Sequence, residues 1–211
     1  VPGKIVRLDP GANPPTTCRA EIYEPPYKNP NVPETQWGFG PRGIDIDRHG
    51  VVWTALAASG HMASFDRRKC TVLNGPTATG QHCPEGWTLY PEPLPQIKGL
   101  DDSGSAEGSY YTWVDQFDIL GLGANVPINT GNASEGLLAL QDGEWVVLRV
   151  PYPLGFYTKW MDGRIDDPDA GWKGRGLWAT YGTRAPFHTE TGKGTPSKVV
   201  QFQLRPDPLA R

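Results

Sequence analysis

One short pattern recurs four times in this chain and limits the architectures open to it. A small or polar residue opens each copy, apolar positions follow with period two, and a polar residue closes it. The copies are Gly3-Lys-Ile-Val-Arg-Leu-Asp9, Gly60-His-Met-Ala-Ser-Phe-Asp66, Glu135-Gly-Leu-Leu-Ala-Leu-Gln141 and Ser197-Lys-Val-Val-Gln-Phe-Gln203. Such alternation is what a half-buried strand needs. The first three copies are each followed by a second strand that runs into proline. These are Ala20-Glu-Ile-Tyr-Glu-Pro-Pro26, Trp87-Thr-Leu-Tyr-Pro-Glu-Pro93 and Trp145-Val-Val-Leu-Arg-Val-Pro-Tyr-Pro153. Proline suits an outer edge, where its missing N–H would face solvent.

Ahead of the second copy, Pro41-Arg-Gly-Ile-Asp-Ile-Asp-Arg-His-Gly50 and Val51-Val-Trp-Thr-Ala-Leu-Ala57 read as strand, Asp/Gly turn, strand. Together with Gly60–Asp66 and Trp87–Pro91 they make a four-stranded antiparallel unit. Radial repetition of such units defines a β-propeller. Gly176-Leu-Trp-Ala-Thr-Tyr181 repeats the Trp-bearing second strand before the fourth copy. The sequence therefore predicts an all-β single propeller portion over 1–211. Its blades are a partial one at 3–26, a full one at 38–95, an irregular one at about 110–154, and one at about 155–205 lacking its outermost strand. The repeat spacing of roughly 60–70 residues is long, and the excess is expected in loops. About three and a half blades do not close a ring, so further N-terminal blades or a partner chain are expected to complete it.

Composition agrees. The chain has 26 Gly and 22 Pro, which leave few windows for a stable helix, and 8 Trp, 8 Tyr and 6 Phe, which argue against disorder. A net charge of −3 gives no electrostatic reason to expect nucleic acid. No apolar run approaches the roughly 20 residues needed to span a bilayer. Cys70 and Cys83 flank a turn-rich segment between two strand-like runs. A disulfide closing a loop of that length would contribute about 3 kcal/mol, two reduced thiols being the alternative. The composition is that of an oxidising compartment, which favours the disulfide and a periplasmic or extracellular location. Cys18 is left over, either buried and free or paired with a cysteine outside this sequence.

The Pro41–Ala55 stretch and Gly60–Asp66 share a Pro-x-Gly-Ile opening, an Asp-x-x-Gly turn, a Trp strand, and a Gly-His-Met strand ending in Asp. On these residues the chain resembles the streptogramin (virginiamycin B) lyase-like propellers, relatives of the NHL and SMP-30 propellers. The stretch from Asp162 through Leu209 looks like the C-terminal part of larger bacterial members. In the lyase proper, the resemblance implies a Mg²⁺-assisted elimination, with acidic and His side chains at the top of the ring holding the metal and abstracting a proton. The repeats here are longer than in that group.

Several residues are candidates for chemistry. His188 and Glu190, two apart, would share a face if the backbone were extended, and an imidazole with a carboxylate suits a divalent transition metal. In that reading His188 transfers the proton and Glu190 holds the metal; an exposed polar loop is the competing reading. His61 takes the repeat position that Lys4 and Lys198 take elsewhere, so a solvated slot competes with a catalytic role. Asp162, Asp166, Asp167 and Asp169 gather in an oxygen-rich, turn-prone segment that could hold Ca²⁺, although the spacing is not that of an EF-hand and a solvated acidic loop competes. Arg42, Asp45 and Asp47 belong to an innermost strand, which lines a propeller's channel, and are candidates for ligand binding; an Asp at a strand end also forms turns. A zinc site from Cys70, His82 and Cys83 lacks a fourth ligand and the usual spacing. Gly38-Phe-Gly-Pro-Arg-Gly43 matches a dinucleotide fingerprint by accident, since an alternating strand follows it rather than a helix. The aromatic residues recur at strand positions and read first as inter-blade core.

Three functions remain open: a metal-assisted lyase or hydrolase using His61, His188 and Glu190, a non-catalytic scaffold for a protein or polysaccharide, and a copper redox propeller. The cofactor is unnamed by the sequence, a divalent metal (Mg²⁺, Ca²⁺ or a transition metal) being open to it; Mg²⁺, Ca²⁺ or no metal would favour the first two readings and copper the third. The fold alone does not choose among them, and four histidines are few for a multi-copper site.

Overall fold

The computed structural model describes residues 2–99, 104–150, 156–181 and 198–210. They form thirteen strands in four antiparallel sheets, with only short 3-10 turns besides. The first sheet is the hairpin β1 (Ile5–Asp9) and β2 (Arg19–Tyr23). The second is β3 (Pro41–Ile46), β4 (Val52–Leu56), β5 (His61–Phe65) and β6 (Trp87–Pro91). The third is β7 (Thr112–Asp115), β8 (Val126–Gly131), β9 (Gly136–Gln141) and β10 (Glu144–Arg149). The fourth is β11 (Met161–Ile165), β12 (Arg175–Tyr181) and β13 (Lys198–Phe202). Within each sheet the strands pair in chain order, so every connection is a meander.

The four repeats of the sequence are β1, β5, β9 and β13, each the third strand of its unit. The three proline-ended runs are β2, β6 and β10. The first sheet thus carries only the third and fourth strands of a unit, and the last lacks the fourth among the described residues. The all-β, partial-propeller expectation holds, and among the described residues no ring closes. The innermost strands β3, β7 and β11 stand side by side, β3 against β7 and β7 against β11.

Local chemistry explains the turns. Asp47 shapes the β3–β4 turn: its Oδ1 accepts from the N–H of His49 (2.8 Å) and Val51 (3.0 Å), and its Oδ2 accepts from Trp53 Nε1 (3.0 Å). Asp166 repeats the device in the fourth sheet, accepting from Trp178 Nε1 (3.1 Å). The β9–β10 hairpin turns on Asp142 and Gly143, both at positive φ (50° and 85°), the geometry of a two-residue type I′ turn. The Cys70–Cys83 disulfide forms, its Cα atoms 5.1 Å apart. Cys18 is exposed, which corrects the buried alternative.

Side-chain alternation fixes how the sheets stack. On β5, Ala63 and Phe65 pack with Ile5 and Tyr23 of the first sheet, so Met62 points the opposite way, toward the third. On β9, Leu137 and Ala139 pack with Met161 and Leu177 of the fourth sheet. Ile5, Met62 and Leu137 therefore face forward to the next sheet, and all three are buried. Val199 holds the same repeat position on β13, with Val200 and Phe202 turned back onto the third sheet, and is 63% exposed. At the other end, Val6 and Leu8 face backward from β1 and are 58% and 64% exposed. Apolar side chains are uncovered where a neighbouring sheet is missing from the described residues.

Three strands were not located by residue in the sequence. β7 is four residues long, β11 lies among acidic and glycine residues, and β8 contains Pro127. The ladder with β9 begins at Ile128, one residue beyond, so the proline's missing N–H costs that ladder nothing.

Candidate functional site

The site is the groove where the three innermost strands meet. Two glycines permit their approach. Gly43 sits at φ 57° in a bulge of β3, and a Cβ there would lie 2.7 Å from the Tyr111 Cα. Gly163 lies in β11, and a Cβ there would lie 2.3 Å from the Trp113 indole. Bulge glycines often mark such close backbone contact. Asp45 Oδ2 then accepts from the Val114 N–H (2.8 Å), and Gln116 Nε2 donates to the Ile46 carbonyl (2.7 Å), which ties β3 to β7.

The resulting groove encloses about 390 Å³. Ile44 and Asp45 line one side, Tyr111 and Trp113 the middle, and Trp160 and Asp162 the other. Burial, with the nearby Asp45 and Asp162 carboxylates, raises the Tyr111 hydroxyl above its usual range, so it remains a neutral donor. At the end where these strands begin, Arg42, Tyr110, Tyr157 and Lys159 gather. The Arg42 guanidinium and the Lys159 ammonium each lie 5.1 Å from the Tyr110 ring centroid.

Of the residues singled out in the sequence, the structure brings Asp45 and Asp162 to this groove and Arg42 to its mouth. Asp47 is not on the Asp45 face of the strand: β3 ends at Ile46, and Asp47 is buried in the turn, bonded to backbone and to Trp53. The acidic segment is not one loop. Asp162 is a strand residue of β11, paired in register with Trp178. Asp166 pairs with Arg164 (2.7 Å) and Trp178, and Asp167 accepts from the Asp169 N–H (3.0 Å). Among the described residues no group of three or more His, Cys, Asp and Glu side chains is placed to hold a metal ion.

His61 is fully buried, with Nδ1 3.1 Å from Ser59 Oγ, whereas Lys4 and Lys198 at the equivalent positions are exposed. The difference is local: the Ser105 N–H donates to the Gly60 carbonyl (3.3 Å) and lays the following linker over this strand end. Cys70 and Cys83 are joined to each other, so the zinc reading has no thiolates. His188 and Glu190 lie outside the described residues.

One buried acid escaped the sequence reading. Glu92 follows β6 and accepts from Ser109 Oγ (2.7 Å) and Asn129 Nδ2 (2.6 Å), while Asn129 Oδ1 accepts from Thr112 Oγ1 (2.6 Å). Burial pushes its carboxyl up to about 8 against the opposing hydrogen bonds, so it is held protonated at neutral pH. It links the second sheet to the third. Nothing local marks it, because Tyr-Pro-Glu-Pro reads as an exposed edge.

Among solved structures, the chain is similar to a streptogramin B lyase at 12% identity and TM-score 0.46. It is also similar to a virginiamycin B lyase from Staphylococcus aureus at 13% and 0.45. Each comparison covers 90% of this chain and 46% of the other, so the chain spans about half the length of the structures it matches. No family model and no curated relative matches it.

Proposed function

We propose that the chain is part of a secreted or periplasmic propeller that binds a polysaccharide in the groove between its innermost strands. The observation that carries this reading is the wall chemistry: Tyr111, Trp113 and Trp160 alternate with the carboxylates of Asp45 and Asp162. Aromatic faces receive the C–H face of a sugar ring, and carboxylates accept from its hydroxyls. The Cys70–Cys83 disulfide supports an oxidising compartment. The uncovered Val6, Leu8 and Val199 support further blades, from the same polypeptide or a partner, on both end faces.

Titrating the chain with oligosaccharides while following tryptophan fluorescence tests the reading. A saturable change that Trp160→Ala weakens severalfold is the expected result. Silence toward every saccharide class removes it.

A second reading keeps the metal-assisted lyase or hydrolase, with His188 and Glu190 as the residues that would meet the ion. What favours it is the end of β12, the strand that precedes them in the chain, where Thr180 donates its N–H to the carbonyl of the groove residue Trp160 (3.1 Å). Stoichiometric metal in the purified chain, lost in a His188→Ala and Glu190→Gln double variant, would promote this reading; copper would promote a redox role instead.

A further inference from the structure

We propose that the mouth of the groove is an anion subsite, built by Arg42 and Lys159 around Tyr110 and Tyr157, which selects acidic saccharides over neutral ones. The inference rests on the saccharide reading above and names the class of saccharide.

Two cations share one ring here. Arg42 and Lys159 come from different sheets, yet each lies 5.1 Å from the Tyr110 centroid, and Lys159 is also 5.7 Å from that of Tyr157. The two rings stand 5.9 Å apart. A phenol face attracts each cation, but gathering two like charges there opposes that gain. Some other surface cations have carboxylate partners, among them Arg67 with Glu21, Arg68 with Asp66 and Arg164 with Asp166. Among the described residues no carboxylate lies within salt-bridge distance of Arg42 or Lys159. Both side chains are exposed. Desolvation, with the neighbouring Tyr110, pushes the Tyr157 hydroxyl up to about 12, so it stays neutral and able to donate. Two unneutralised cations with phenol donors at their side present what an oxyanion accepts from.

Charge is also sorted by depth. Arg42 precedes Asp45 by three residues on one wall, and Lys159 precedes Asp162 by three on the other. At about 3.3 Å per residue, the carboxylates lie roughly 10 Å further along the strands. An anionic group is therefore attracted at the mouth and repelled within. The inner part of the ligand must be uncharged and rich in donors, which is the chemistry of sugar hydroxyls. A uronate or sulfated residue at the mouth, followed by neutral hydroxyls against Trp160 and Asp162, satisfies both ends.

The test titrates the intact chain with three oligosaccharides of equal length: a uronate, a sulfate ester and a neutral one. The expected result is tighter binding of at least one acidic ligand by about tenfold or more, the scale of one charge-assisted contact. Arg42→Gln and Lys159→Gln should each remove about that factor for the acidic ligand and leave the neutral one unchanged. Both side chains are exposed, and unchanged circular dichroism would verify folding. Whether the uronate or the sulfate binds tighter identifies the anion, and either outcome supports the subsite. Equal binding of acidic and neutral ligands, untouched by the variants, overturns the subsite while leaving the groove reading intact. Binding of none overturns both.

Discussion

The indole of Trp113 on β7 occupies the space that a side chain on Gly163 of β11 would need, the ideal Cβ falling 2.3 Å from its ring. Trp113 is half-buried, with the core between the third and fourth sheets on one side and the groove on the other, so the ring must shift to make room. Gly163→Ala is expected to destabilise the chain by about 1–3 kcal/mol, the cost of overpacking. A urea melt checks it. A variant as stable as the parent would mean that the two sheets are not in contact there.

Glu92 gives the chain a pH dependence of definite sign. Its carboxyl titrates at about 8 when folded and from an ordinary 4.5 when unfolded. Between these values the folded state holds a proton that the unfolded state has released. The contribution of this group to stability is therefore greatest below pH 4.5 and falls as pH rises toward 8, at up to about 1.4 kcal/mol per unit. Glu92→Gln keeps the acceptor for Asn129 and cannot ionise. It is expected to match the parent near pH 4.5 and to exceed it by roughly 2–4 kcal/mol near pH 7.5. Parallel melts at the two pH values read the difference.

Arg67 grips Glu21 with Nε (2.6 Å) and Nη2 (2.7 Å), and Tyr23 donates its hydroxyl to the same carboxylate (2.8 Å). The first hairpin is clamped onto the second sheet in this way. The Arg67 contact, ahead of opposing desolvation, lowers the Glu21 carboxyl to about 2. The stabilisation is present above the unfolded value of 4.5 and is lost as pH falls through 2. Arg67 is partly exposed, so the expected cost of Glu21→Gln at neutral pH is about 1–2 kcal/mol. Amide exchange should speed up in β1 and β2 and leave β8 and β9 unchanged.

Strands with a repeated apolar pattern were legible because alternation reports burial directly, and β1, β5, β9 and β13 fall within a residue or two of their expected limits. The disulfide was legible from the turn-rich segment between its cysteines. What one strand alone conceals is its neighbour. His61 and Lys4 hold equivalent repeat positions, yet Ser105 covers one and solvent meets the other. Asp47 and Asp45 are two residues apart, but the turn begins between them. Arg42, Tyr110 and Lys159 lie far apart in the chain and meet only because three sheets stand side by side.

Equivalent repeat positions should respond unequally to charge. Leu137 and Val199 both face forward, but only Leu137 has a sheet in front of it. Leu137→Lys is expected to cost more than about 4 kcal/mol, and Val199→Lys to stay within about 0.5 kcal/mol. Denaturant midpoints measured side by side decide the matter.

The stacking itself is open to a chemical probe, because the chain has two methionines and both lie between sheets: Met62 facing the third sheet and Met161 in the core shared by the third and fourth. Mass spectrometry after brief peroxide treatment reads their access to solvent. If the sheets stack as blades, both thioethers resist oxidation in buffer and react readily in urea. Rapid conversion of either to the sulfoxide under native conditions would contradict the arrangement.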